Sequence, residues 1–322
     1  MRCVRRRRVR RRCARRRWGV LSWLLAVVAG RGPVSARYAR GLLHLAAGID
    51  QAGSFDADSY LELALLAERG GLDFVTLDDC CGRLGPDALD VLCRVAPATR
   101  RLGLVPTVTA TPTESFRARA AMATLDWVSR GRAGWRIDVS AEVWDGWAPP
   151  QGHPVRVVDA TEEHGRTVAA RYADVALVRA VTAERAAAVR DELRARAAES
   201  GRGPDALRVL ASLLIDLGAG EYAAEPGHGG GGPRPTARGP LYRGGPVDLA
   251  ELLAAWHADG AADGFHLVPV EPRRDLERLV NGTVALLQHR GLFRTFYPGS
   301  TLHDHLGLAR PAHQYAVTGG TS

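Results

Sequence analysis

Short apolar runs alternate with amphipathic stretches along most of the chain, and polar residues collect directly after each apolar run. Phe74–Leu77 is followed by Asp78 and Asp79, Leu102–Val105 by the hydroxyl-rich span Thr107–Thr113, and Ala133–Ile137 by Asp138–Ser140. A short apolar run flanked by helix-period stretches is the pattern of a parallel strand buried on both faces. Repetition of strand, polar loop and helix predicts a parallel α/β sheet or barrel, with the chemistry on the loops after the strand C-termini.

The periodicity predicts strands at 42–49, 73–79, 101–108, 132–140, 154–159, 175–179, 206–215 and 264–269. It predicts helices at 59–70, 87–96, 115–129, 163–173, 183–200, 248–260 and 275–290. In the first helix Tyr60, Leu61, Ala64, Leu65 and Ala67 share a face; in the second Leu89, Val91, Leu92 and Val95 do. Right-handed β-α-β crossovers repeated this often imply a closed (β/α)8 barrel. Two segments disturb the count. Residues 217–245 are rich in Gly and Pro and read as an irregular loop where a helix is due. Residues 141–152, AEVWDGWAPPQG, leave little room for the helical crossover that two parallel neighbours need, so the barrel is expected to be incomplete after strand 4.

Length and charge narrow the class. At 322 residues, one barrel domain over 41–322 is the simplest organisation, with 1–40 as a separate tail. The formal net charge is +8, but residues 1–40 hold 14 Arg and no acid, leaving 29 basic against 35 acidic residues in the rest. The body is therefore mildly acidic, and a nucleic-acid groove is not supported. Five cysteines with no C-x-x-C pair disfavour structural zinc and a disulfide framework and suit a reducing cytoplasm. Cys80 lies beside the presumed reactive face but reads more simply as a small core or loop residue.

Residues 1–17 hold eleven Arg, Trp18–Gly30 is apolar, and Val34–Ala36 supplies small residues. The form is that of a secretory signal, and the alternatives are a start codon placed too far upstream, a disordered tail, or a helix on a membrane surface. The apolar stretch is shorter than the roughly 20 residues of a membrane-spanning helix, so stable insertion is not expected.

Five segments carry a family resemblance: AERGGLDFVTLDD (67–79), RLGLVPTVTAT (101–111), ATLDWVSRGRAGW (123–135), GGPVDLAELLAAWHADGAADGFHLVP (244–269) and LQHRGLFRTFYPGSTLHDHLGLARPAHQY (287–315). They resemble, in order, the bacterial luciferase-like flavin-dependent monooxygenases, in the branch containing nitrilotriacetate monooxygenase. The resemblance implies a TIM barrel of the luciferase-like type. It also implies reduced FMN as cosubstrate, a separate flavin reductase that supplies it, dioxygen, and a small organic substrate. A cytoplasmic location and pairing into a homodimer follow from the same resemblance. So does the expectation that a long insertion after strand 4, with ring and phosphate contacts of its own, has been lost here.

A flavin needs a flat apolar pocket, hydrogen-bond partners at its polar edge and an anchor for the ribityl phosphate. Strand-end hydroxyls at Thr107 and Thr109 suit the ring edge and ribityl chain, as does Thr111. The resemblance places Asp79 against the flavin, whereas any single Thr here equally reads as a strand residue satisfying a neighbouring backbone group. The family's phosphate turn falls on residues 159–165, DATEEHG. Thr161 is the expected donor there and His164 a second if protonated, while Asp159, Glu162 and Glu163 would repel an anion. Trp144 and Trp147 would cover a ring or serve as ordinary surface or core aromatics. No single catalytic acid or base stands out.

His303–Asp304–His305 has metal-type residues but reads as a solvated loop, so no metal site is expected. His44 reads as a satisfied buried imidazole rather than a catalyst. Gly229–Gly232 lacks the strand context of a phosphate-binding loop and reads as a linker. Two rivals remain beside the monooxygenase: a deazaflavin (F420)-dependent oxidoreductase on the same barrel, and a degenerate, non-catalytic flavin-binding or structural homologue. The short crossover and the acidic turn favour the second rival, and a coding sequence shortened by frameshift would produce the same pattern.

Overall fold

The computed structural model describes residues 41–51, 56–78, 86–108, 115–137, 153–218 and 232–309. Eight parallel strands form a closed ring: β1 (His44–Gly48), β2 (Phe74–Leu77), β3 (Gly103–Val108), β4 (Gly134–Ile137), β5 (Val155–Asp159), β6 (Val175–Val178), β7 (Arg208–Asp216) and β10 (Gly264–Pro269). Closure comes from β10, which pairs in parallel with β7 on one side (Gly264 with Leu210) and β1 on the other (Gly264 with His44). The expected break after strand 4 is absent from the ring, because β4 and β5 are direct neighbours over four residue pairs. The segment 138–152 between them lies outside the described residues.

Helices coat the ring: α1 (Ala57–Arg69), α2 (Ala88–Val95), α3 (Ser115–Ser129), α4 (Glu163–Tyr172), α5 (Ala183–Glu199), α6 (Pro246–Ala258) and α7 (Pro272–Arg278). Their starts are written in the sequence. Asp56 and Asp87 accept backbone N–H groups at the heads of α1 and α2, Thr182 does so at α5, and Pro opens α6 and α7. The single last helix expected over 275–290 is instead α7, a π-helical turn at Leu279–Val284, and α8 (Ala285–His289). The loop expected over 217–245 also changes: β8 (Arg234–Thr236) and β9 (Gly239–Arg243) form a hairpin, and β9 extends the end of β7. Residues 219–231 are outside the described set.

Because successive strand residues face opposite ways, one set of each strand packs on the helices and the other fills the barrel. The outer set joins α1, α2 and α6 in one large core and α4 with α5 in a smaller one. The inner set is apolar at the strand N-termini, with Ala46, Phe74, Val105, Val155, Val175 and Leu210, and becomes polar toward the C-termini.

The N-terminal end of the barrel is plugged by α9 (Leu302–Leu306), whose Leu302 and Leu306 join that inner cluster. Gly103 and Gly134 make room for it. A Cβ on Gly103 would lie 2.6 Å from Leu302 Cδ1, closer than any real contact. Three aspartates, each directly before a strand, brace the same end. Asp73, Asp174 and Asp263 accept the backbone N–H of Leu45, Arg156 and Val209 on the neighbouring strand. Each also holds a cation, namely Arg294, Arg156 and Arg190 respectively.

Candidate active site at the barrel mouth

At the C-terminal ends of the strands the inward positions are Asp78 after β2, Thr107 on β3, Arg136 on β4, Asp159 on β5 and Arg179 after β6. The closed ring draws these five into one network. Arg136 Nη1 lies 2.6 Å from Asp78 Oδ1, and the Thr107 hydroxyl donates to that same oxygen at 2.7 Å. Arg136 reaches Asp159 with its other nitrogen at 3.5 Å, and Arg179 meets the same Asp159 oxygen at 3.1 Å. The Arg136 side chain keeps 16% of its surface exposed and that of Arg179 keeps 42%, so the second is the more accessible cation.

The carboxylates are tuned in opposite directions. Burial would raise Asp78, but the Arg136 charge and the Thr107 hydrogen bond outweigh it and hold the carboxyl below the ordinary range. Asp50, just beyond β1, accepts the Asp78 backbone N–H at 2.7 Å. Burial, with the adjacent Asp78 charge added, pushes Asp50 up to about 6. Asp78 is therefore held as an anion, while Asp50 exchanges its proton just below neutrality.

One layer deeper, His266 on β10 sits between the hydroxyls of Thr76 (Nε2, 2.8 Å) and Ser212 (Nδ1, 3.0 Å). Burial, reinforced by Arg136, lowers its pKa to about 3, so the ring is neutral at working pH. A neutral imidazole donates from one nitrogen and accepts at the other, which two hydroxyls satisfy in either tautomer. His266 thus forms a hydrogen-bonded floor beneath the charged layer.

The residues named from sequence divide. Thr107 stands in the network. The Thr161 hydroxyl accepts the Arg179 backbone N–H at 3.2 Å, a contact that does not use its O–H proton, and its own N–H donates to Asp159 at 3.0 Å, so it braces the turn. Asp79, Thr109, Thr111, Cys80, Trp144 and Trp147 lie outside the described residues. The acidic turn is less repulsive than the sequence suggested. Asp159 carries Arg136 and Arg179, and Glu163 is paired with Arg196 at 2.7 Å. Arg166, on the first turn of α4, folds back onto the Thr161 carbonyl at 2.9 Å.

His303 and His305 are not in a solvated loop. Both are buried in α9, and burial takes each pKa to about 4. His44 is partly buried with Nδ1 3.1 Å from Asp73. Sequence reasoning missed Asp50, Arg136, Arg179 and His266. A signal was available for Arg136, since a charged residue within an otherwise apolar strand, in register with Thr107, must face the barrel interior.

A flavin offers a flat ring with a donor–acceptor edge, negative charge on the reduced ring, and a phosphate. The mouth supplies two guanidinium groups, the acceptor lone pairs of the Thr107 hydroxyl and one carboxyl that is neutral below about pH 6. That set of groups fits such a ligand, with Arg136 and Thr107 suited to the ring edge and Arg179 to the anionic end.

Residues 40–143 match the luciferase-like monooxygenase family. The chain is 25% identical to nitrilotriacetate monooxygenase component A of Aminobacter aminovorans, over 81% of this chain and 92% of that protein. It is 24% identical to N-acetyl-S-(2-succino)cysteine monooxygenase of Bacillus subtilis, over 82% and 92%. Among solved structures, EDTA monooxygenase from Chelativorans sp. BNC1 superposes with a TM-score of 0.70 at 18% identity, over 84% of this chain and 99% of that one. Along most of its length the chain is thus similar to luciferase-like monooxygenases. The first match runs over 416 aligned positions while drawing on 81% of 322 residues, so the relative is longer by well over a hundred positions within the aligned span. Among the described residues no helix is long and apolar enough to cross a membrane.

Proposed function

We propose that this chain is the oxygenating component of a two-component flavin monooxygenase, taking reduced FMN from a separate reductase and acting with dioxygen on a small organic substrate. The observation that carries the reading is Arg136, fixed at the barrel mouth between Asp78 and Asp159. A guanidinium held at this depth by two carboxylates is positioned before any ligand arrives, so little reorganisation opposes binding.

Reduced FMN, when bound, supplies the two electrons that let one atom of dioxygen enter the substrate while the other leaves as water. The chain's own residues bind, orient and manage protons. Arg136 and Thr107 would hold the polar edge of the ring, and Arg179 the anionic tail. Asp50 holds a proton below about pH 6 and releases it above, beside the charged layer where a proton is needed for water to leave. His266 and its two hydroxyl partners close the floor and exclude water from beneath the site.

The separate reductase is supported by the relative whose name calls it component A. We place the shortening relative to that protein between β4 and β5, supported by the few residues, 138–154, that join these neighbouring strands. Such a shortening would leave the mouth more open on that side and place more of the binding on Arg136 and Arg179. A supply of reduced flavin suits a cytoplasmic enzyme. The test is anaerobic titration of the chain with reduced FMN, followed by oxygen uptake on addition of a reductase and candidate substrates. Tight binding with substrate-dependent product supports the reading. A folded chain that binds no reduced flavin points to the non-catalytic homologue.

A further inference from the structure

On the face of the barrel opposite the mouth, three side chains far apart in sequence converge. His153 precedes β5, Asp174 precedes β6, and His303 comes from the plug helix α9. One ligand-type atom from each lies within 4.8 Å of the other two. His153 and His303 meet edge to face, their ring centroids 5.2 Å apart, and His153 Nδ1 is 3.8 Å from Asp174 Oδ2. Asp174 and His303 are buried, and His153 is half-buried at the rim.

We propose that His153, Asp174 and His303 form a divalent transition-metal site that ties the C-terminal segment to the floor of the barrel. Two imidazoles and one carboxylate are the donor set of zinc and its neighbours in the first transition row. Ligand atoms each about 2.1 Å from a shared ion sit no more than about 4.2 Å apart, so rotations that move the atoms by less than about 1 Å complete the triad. The surroundings are those of ligating groups. Arg156 grips Asp174, its backbone N–H (2.8 Å) and Nε (3.2 Å) on Oδ2 and its Nη2 (3.3 Å) on Oδ1. That grip fixes the carboxylate and leaves Oδ1 a lone pair for the ion.

Asp73 and Asp263 brace the barrel in the same manner as Asp174, but each pairs with at least one Arg from outside its own brace, Arg294 for the first and Arg190 with Arg194 for the second. Among the described residues, Asp174 is the one of the three whose carboxylate lies within 4.8 Å of ligand-type atoms from two histidines. The Arg156 charge offsets that of Asp174, so a bound dication gains less electrostatically than at an all-anionic site, and a structural ion of moderate affinity is what this balance supports.

The test uses the full chain after dialysis against a chelator. Zn²⁺ uptake is measured by equilibrium dialysis and metal analysis, and Co²⁺ binding by visible d–d absorption. These are compared in wild type, His153→Ala, His303→Gln and the exposed-site control His289→Ala. The expected result is one Zn²⁺ per chain and a Co²⁺ spectrum of low coordination number. Affinity should fall at least tenfold in His153→Ala and His303→Gln and stay unchanged in His289→Ala. Zn²⁺ should also raise the Tm of wild type but not of His153→Ala. Because His153 is at the rim, its variant decides the matter even if His303→Gln fails to fold. A wild-type chain that takes up no metal, or uptake equal in wild type and His153→Ala, overturns the proposal.

Discussion

Arg136 and Thr107, on adjacent strands, converge on a single oxygen of Asp78, at 2.6 and 2.7 Å, so the charged layer at the mouth is anchored through one carboxylate oxygen. Replacing Arg136 with Leu leaves Asp78 and Asp159 without their shared cation. Affinity for reduced FMN should fall at least tenfold, about 1.4 kcal/mol, with the barrel still folded. Anaerobic titration beside far-UV circular dichroism separates loss of binding from loss of fold.

Asp50 gives a pH dependence whose sign is fixed. Its folded pKa of about 6 lies above the ordinary 3.8, so the folded state binds the extra proton. Its contribution therefore favours folding at low pH and is lost as pH rises from about 4 through 6. Asp50→Asn keeps an oxygen to accept the Asp78 N–H and removes that loss. Urea denaturation should show the variant more stable than wild type by roughly 1–3 kcal/mol at pH 7.5, the gap closing toward pH 4. An equal gap at both pH values would show that Asp50 is not the titrating group.

At the other end of the barrel the sign reverses. Burial alone would raise Asp73, but Arg294 and His44 outweigh it and take it to about 2. Its stabilisation is present above the ordinary carboxylate pKa of 3.8 and lost as pH falls toward 2. Asp73→Asn strands the buried Arg294 and weakens the brace on Leu45. The expected cost at pH 7 is about 3–5 kcal/mol, read from the shift in denaturation midpoint. A loss below about 1 kcal/mol would mean Arg294 finds another partner.

The plug provides a packing test. Leu302 is fully buried inside the strand N-termini against Gly103 and Gly134. Leu302→Ala should cost about 2–5 kcal/mol, because the rigid ring cannot collapse around the space. Calorimetry should show a lower Tm, with reduced-flavin binding intact at temperatures where the variant is folded.

The alternation of apolar runs and helical stretches was enough to place all eight ring strands, since a strand buried on both faces must be apolar and short. The mouth was only partly legible. Thr107 could be read from its position after Leu102–Val105, whereas Arg136 and His266 acquire a role only when closure of β10 on β1 and β7 fixes which face turns inward. Thr161 reads as a phosphate donor from its turn; that its oxygen also accepts the Arg179 backbone N–H follows only once β5–β6 pairing brings Arg179 alongside. His303 reads as solvated because nothing local marks α9 as a plug. The helix seats because Gly103 and Gly134, more than 160 residues upstream, leave room for its Leu302.

The most direct measurement is anaerobic titration of the full chain with reduced FMN, wild type beside Arg136→Leu. Saturable one-to-one binding in the micromolar range or tighter, weakened at least tenfold by the substitution, is the expected result. A folded wild-type chain that does not bind reduced FMN, or binds it equally well without Arg136, would contradict a flavin site at the barrel mouth.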